Sequence, residues 1–216
     1  GCYPKPVPLE LALLIRANEG PRVPEIIQLL DWQEQPEHYV MILERLMPSE
    51  DLDWFLLSQT TKIPENLAWV IMRQVTTTAQ MCCRRRVLHR NLTPESFQIN
   101  LDTLEVKLIN FGCGEILTDA AYTSFTGTYE LSEHCGMGST AANRKISCIA
   151  MDINESKTSF LSGAEQYCPP EYLITGEYHG KPATVWSLGI FMYTVLFEDF
   201  PAKRDLDQIN KFMWAK

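Results

Sequence analysis

The chain has 216 residues, of which 45% are hydrophobic and 21% charged. This is ordinary globular usage, enough for one sizeable core or two small lobes, and it excludes wholesale disorder. A formal net charge of −8 argues against a nucleic-acid partner, and no signal-peptide pattern or membrane-length apolar run is present, so no membrane partner is expected.

Seven cysteines, at 2, 82, 83, 113, 135, 148 and 168, are an odd number with no Cys-x-x-Cys pair. They predict reduced thiols in a cytoplasmic or nuclear protein rather than a zinc ribbon.

In chain order, Val7–Ile15 predicts a helix carrying Glu10. Residues 23–31 and 38–44 predict strands, with a polar turn over Gln33–Glu37. Residues 47–51 link these elements to a second part. Pro64 opens a helix running toward Cys83, since proline suits a first helical position. The Arg84-Arg85-Arg86 run reads as the solvated end of that helix. Ser96–Asn100 and Val106–Ile109 predict two short strands around a turn at Asp102-Thr103. Trp186–Phe197 is apolar around most of its circumference, as a buried helix is.

Four motifs lie among these elements. Residues 88–91 read Leu-His-Arg-Asn and 109–112 read Ile-Asn-Phe-Gly, and Asn91 and Asn110 stand 19 positions apart. Tyr-Cys-Pro-Pro-Glu-Tyr (167–172) and Val-Trp-Ser-Leu-Gly-Ile (185–190) follow. The order and spacing resemble a protein kinase, whose His-Arg-Asp and Asp-Phe-Gly motifs supply the catalytic base and the magnesium carboxylate. The stretches 7–10, 27–32, 39–45 and 178–189 narrow the resemblance to the Pim family of serine/threonine kinases.

The resemblance implies an α+β, protein-kinase-like fold. Residues 1–46 are expected to form an incomplete small lobe (a helix with Glu10, two strands and the hinge) and 47–216 a mostly helical large lobe. Position by position it also implies loss of catalysis. Asn91 stands at the base, Thr93 at the catalytic-loop Lys, and Ser96 and Asn110 at the metal ligands. An Asn amide has nearly the shape of a carboxylate but no charge and no basic oxygen. Leu43, Glu44, Leu46 and Gln98 fall at a degenerate adenine site, and Glu10 at the structural glutamate of the small lobe. The Lys partner of that glutamate belongs on a preceding strand, and only nine residues precede Glu10. His89, Phe111 and Leu14 match a hydrophobic spine. Asp51 and Glu95 match acidic positions that hold basic substrate residues, so proteins or peptides with basic motifs are the expected partners.

No cofactor is predicted for this chain, although the family uses ATP and Mg²⁺. Three readings stand: an inactive pseudokinase or degenerate copy acting as a scaffold, an active ATP-dependent serine/threonine kinase with an incomplete gene model, and a module for basic peptides.

Residues 128–162 interrupt the kinase pattern, which resumes at Gly163. The segment shows no sustained period and reads as a non-native or disordered insert. Gly127-Thr128-Tyr129 is encodable with a splice-donor GT, and Phe160–Gly163 with a pyrimidine tract ending in CAG. Removing 36 residues restores the family register. A retained intron is therefore expected, against the alternative of a genuine Ser/Thr-rich regulatory insert.

Overall fold

A computed structural model describes residues 7–59, 61–125, 167–201 and the backbone of 146–152. The first helix, α1 (Leu9–Ala17), starts after Pro8 and buries Leu11, Leu13, Leu14 and Ala17. Asn18 ends it. The Asn18 side chain donates to the Leu14 and Ile27 carbonyls at 2.9 and 3.1 Å and accepts from the Leu29 N–H at 3.2 Å, stitching the helix to the next strand.

That strand is β1 (Leu29–Glu34), later than the predicted 23–31. Residues 23–28 run as a loop because they pair elsewhere. Ile27 N–H donates to Leu108 O at 3.0 Å, and Leu108 N–H to Glu25 O at 2.9 Å. Val23, Ile26 and Ile27 are buried there, which explains the apolar signal.

The next strand, β2 (His38–Glu44), sits where the sequence predicts it and alternates buried Tyr39, Met41 and Leu43 with half-exposed neighbours. This is the period of a strand with one face on a core. It pairs antiparallel with β1 on one edge.

Beyond the link come β3 (Ser49–Asp51) and α2 (Leu52–Leu57), a helix the sequence did not announce. Asp51 caps it, accepting from Asp53 and Trp54 N–H at 2.8 and 3.2 Å. Helix α3 (Glu65–Arg84) follows, with Pro64 as its N-cap rather than its first turn. Its buried residues Ala68, Ile71, Val75, Thr78, Ala79 and Cys82 recur every three or four positions and form the inward stripe.

Strands β4 (Val87–Leu88), β5 (Phe97–Asn100), β6 (Val106–Leu108) and β7 (Glu115–Ile116) are short. They make a β3-β5-β6 sheet and a β4-β7 pair.

Strand β8 (Ile146–Asp152) corrects one expectation. It falls within the 128–162 segment that was read as lacking regular structure, yet it pairs antiparallel along the whole of β2. Five of its seven residues are apolar, two of them β-branched isoleucines, a local strand signal that the polar average of the segment hides. The rest of 128–162 lies outside the described residues.

The chain ends its described part with α4 (Pro170–Thr175), closed by Gly176 at φ +74°, and α5 (Gly180–Phe197). Helix α5 begins six residues before the predicted start. Gly180 is needed there: a Cβ would lie 2.6 Å from Leu117 Cδ1 and 3.0 Å from Leu88 Cδ2. A single core joins α1, β2, α3, β5, β6 and α5, with Phe97 edge-on to Phe191 at 5.6 Å. Among the described residues no helix is long and apolar enough to cross a membrane.

Candidate functional site

The site is built where the β4 exit, the 3₁₀ turn Pro94–Ser96 and the end of β6 converge. His89, Asn91, Thr93 and Ser96 are all buried. Asn91 Nδ2 donates to Ser96 Oγ at 3.2 Å, and Ser96 Oγ donates to the Asn91 carbonyl at 2.8 Å. Thr93 Oγ1 lies 3.5 Å from the same hydroxyl. The structure thus brings three of the predicted positions into one neutral cluster centred on Ser96. Burial makes such bonds costly to leave unmade, so the cluster holds the loop.

Asn110 is the fourth position. Its Oδ1 accepts from Gly112 N–H at 2.9 Å, bending the chain after β6. Its carbonyl is bonded to His89 Nε2. The His89 and Phe111 rings meet edge-on at 5.3 Å, and both are buried with Leu14. Burial lowers the His89 pKa to about 4, although the Asn110 and Asn91 carbonyls oppose the shift.

Glu10 reaches this turn from α1. Its Oε1 accepts from Phe111 N–H at 3.4 Å. A Cβ on Gly112 would lie 3.3 Å from Glu10 Oε2 and 3.4 Å from Asn110 Oδ1. Burial pushes the Glu10 carboxyl above its ordinary pKa, with the Phe111 bond working against that.

Magnesium favours hard oxygen ligands, usually one or two carboxylates. Ser96 and Asn110 offer only a neutral hydroxyl and a neutral amide oxygen, each already hydrogen-bonded. This donor set does not fit the ion. Among the described residues, no group of three or more His, Cys, Asp or Glu could hold a metal.

The predicted adenine-site residues lie around the link after β2. Leu43 and Leu46 are buried. Gln98 sits in the middle of β5, opposite Asp51 on β3 and Lys107 on β6. The Glu44 side chain is held by its neighbours: its carboxylate lies 2.8 Å from Arg22 Nη2 and 3.2 Å from Lys107 Nζ, and it accepts from Gln28 N–H at 3.0 Å.

Lys107 was not singled out from the sequence. Its side chain is 3% exposed, lies 3.3 Å from Glu105 and also donates to the Pro24 carbonyl. The Lys in Val-Lys-Leu, inside a strand with apolar neighbours, was the available signal. Arg90 was passed over as well. It is nearly buried and donates to the Cys113 and Gly114 carbonyls at 2.7 and 3.3 Å.

Asp51 and Glu95 do come together, with Asp53 as an unforeseen third member. Burial, then the charges of Asp53 and Asp51, raise the Glu95 pKa. The Asp51 pKa is also raised, chiefly by burial, while its cap bonds to Trp54 and Asp53 oppose the shift.

Residues 5–132 match the protein kinase domain family. The chain is 31% identical over 201 residues to the serine/threonine-protein kinase prk-2 of Caenorhabditis elegans, covering 93% of this chain and 36% of that protein. It is 30% identical over 210 residues to the serine/threonine-protein kinase pim-2 of Danio rerio, covering 95% of this chain and 56% of that one. A carbon catabolite-derepressing protein kinase of Candida albicans is 27% identical over 181 residues, with coverages of 83% and 23%. The chain therefore spans between about a quarter and just over half the length of these relatives.

Proposed function

Because this chain belongs to the protein kinase domain family, we propose that it is a Pim-like pseudokinase, a kinase scaffold that binds partners without transferring phosphate. The observation that carries this reading is the neutral cluster of Asn91, Thr93 and Ser96, together with Asn110. In this reading Asn91 occupies the base position and has no basic oxygen for the substrate hydroxyl proton. Thr93 cannot steady a phosphoryl group as a Lys does, and Ser96 and Asn110 do not neutralise phosphate charge through a metal. These groups act as a unit, so their losses do not multiply. Sheets, helices and the buried Leu14, His89 and Phe111 surround them, which supports a scaffold role. In this reading residues 1–46 serve as the small lobe and 47–216 as the large lobe, with Leu43, Glu44, Leu46 and Gln98 left from the adenine site.

Incubating the chain with labelled ATP, Mg²⁺ and an Arg-rich peptide tests the proposal. No incorporation above background is expected. Incorporation by the unaltered chain that vanishes on Asn91→Ala would overturn it and favour the active-kinase reading.

A second reading concerns what the scaffold holds. Asp51, Asp53 and Glu95 repel one another, and this is relieved by a guanidinium or ammonium group. A basic peptide segment is the partner that fits. Fluorescence anisotropy with an Arg-rich peptide is expected to show binding that Glu95→Gln weakens and added salt weakens further. Equal affinity in the two forms refutes it.

A further inference from the structure

We propose that Arg16 and Arg86 form a binding site for a phosphate monoester, in a groove where the ends of α1 and α3 meet the β4-β7 pair. The groove holds about 380 Å³ and is lined by Arg16, Arg86, Ile116, Leu117, Thr118 and Asp119. Pockets for small ligands run to about 300–1,000 Å³. None of these six residues has a part in the kinase-like site. Their meeting follows from the chain. Arg16 stands in the last turn of α1, and Arg86 follows the C-cap of α3. Val87 pairs with Ile116, and the Leu117 N–H donates to the Arg86 carbonyl at 2.8 Å. The ladder therefore brings Arg86 beside Leu117 and Thr118.

Two observations point to an anion. The first is the residue type at 86. Arg86 has φ +59°, in the left-handed region. Just past a helix C-cap that conformation usually belongs to glycine, because a Cβ is strained there. Arg86 is held in it by its N–H bond to Cys83 O at 3.1 Å and by the bond from Leu117. The second is donor capacity. Arg16 Nε donates to the Arg85 carbonyl at 2.8 Å, which orients the guanidinium and leaves both Nη groups without a partner among the described residues. Arg86 meets the Asp119 carboxylate from 3.8 Å, with the two side chains 56% and 87% exposed. A pair so open to water is weak and readily exchanged for another anion. Arginines at helix ends also neutralise the helix dipole, but Arg85 already serves the end of α1 by donating to the Ala17 and Pro21 carbonyls. Two planar guanidinium forks match a phosphate dianion in charge and geometry, where one carboxylate would leave a positive charge over. Exposed Thr118 adds a hydroxyl at the rim. Ile116 and Leu117 give the groove an apolar wall, and its volume exceeds that of a phosphate group. The ligand therefore extends beyond the phosphate, as a phosphorylated peptide side chain or a small organic phosphate does.

Fluorescence anisotropy of the full chain with a labelled phosphoserine peptide tests this. The peptide carries no Arg or Lys, so that it has no affinity for Asp51, Asp53 and Glu95. It is expected to bind at least about tenfold more tightly than its unphosphorylated twin, and added salt is expected to weaken it. Arg86→Gly supplies the residue that the left-handed backbone favours, so the chain is expected to stay folded while affinity falls by about tenfold, the loss of one charge-assisted contact. Asp119→Asn removes the competing carboxylate and is expected to tighten binding by about twofold, a gain that a folding defect does not imitate. A phosphopeptide that binds no better than its twin overturns the site. So does a folded Arg86→Gly variant of unchanged affinity, which leaves Arg86 only a helix-end role. Should Arg86→Gly fail to fold, Asp119→Asn decides: a tighter complex supports the site, and an unchanged or weaker one refutes it. Phenyl phosphate competition then assigns the source, and either result supports the site. Displacement at equal concentration identifies a small organic phosphate, and displacement only in large excess identifies a phosphorylated peptide.

Discussion

Replacing Asn110 with Asp changes one side-chain amide nitrogen to oxygen and leaves the turn intact, because Asn110 Oδ1 already accepts from Gly112 N–H as a carboxylate oxygen does. What changes is charge. The Gly112 geometry places Asn110 Oδ1 and Glu10 Oε2 no more than about 7 Å apart. At that distance two full charges at an effective dielectric of about 20 repel by about 2 kcal/mol. Glu10 is partly protected from this cost, because burial already raises its pKa and the repulsion raises it further. About 1 kcal/mol of destabilisation at neutral pH is therefore expected, or a melting-temperature loss of about 2–4 °C for a domain of this size. Magnesium is expected to reverse the loss in Asn110→Asp and to do nothing for the native chain. Thermal melts in EDTA and in millimolar Mg²⁺, without nucleotide, make the comparison. The reasoning is refuted if the native chain gains Mg²⁺-dependent stability, or if Asn110→Asp melts with the native chain in EDTA and ignores the ion.

Glu10→Gln keeps the bond from Phe111 N–H but removes a carboxylate whose folded pKa is raised. A raised pKa means the wild type gains stability as pH falls through it, so the Gln form is expected to be more stable at pH 7 and to lose that advantage below about pH 4.5. His89 acts in the opposite sense. Its folded pKa of about 4 lies below the unfolded value, so stability is expected to drain as pH falls from about 6.5 toward 4, by about 3 kcal/mol. Denaturant titrations of Glu10→Gln across that range isolate this slope. Ser96→Ala removes the hub of the Asn91 cluster and is expected to cost about 1–3 kcal/mol in chemical denaturation. Lys107→Met leaves Glu44 beside an apolar chain. About 2–3 kcal/mol is expected, at or below the usual range for a broken buried pair because Glu44 and Glu105 reach solvent. Deleting 128–163 separates the two views of that segment: a dispensable insert leaves β2 amide protection unchanged, whereas a docked β8 predicts its loss.

The fold was visible in the sequence wherever a local pattern and a tertiary role agree. The inward stripe of α3 and the alternation of β2 are each set by one face meeting one core, so period alone places them. Residues 23–28 mislead because they are apolar for a different reason. They pack on the core while spending N–H and C=O groups on Leu108 rather than on a β1-type ladder. Pairing of that kind is a long-range fact with no local period. The start of α5 shows the same limit, since Gly180 is a poor helix former that is required only by Leu88 and Leu117 approaching from elsewhere.

The site divides along the same line. The identities at 91, 93, 96 and 110 and their spacing are local and can be read from the sequence. That Asn91, Thr93 and Ser96 satisfy one another, and that Asn110 closes a turn, needed coordinates. This second fact changes what the substitutions mean. Independent changes would leave the buried polar groups of Asn91, Thr93 and Ser96 seeking partners, at about 1–3 kcal/mol for each one unsatisfied. Instead, the replacements form a set that is stable as it stands, with Ser96 Oγ serving Asn91 twice. Restoring a single acidic residue at 91 would put a carboxylate against the Asn91-Ser96 contact while Ser96 and Thr93 stay neutral. In the proposed pseudokinase reading, it is this mutual satisfaction of neutral side chains, more than any one missing carboxylate, that supports a scaffold.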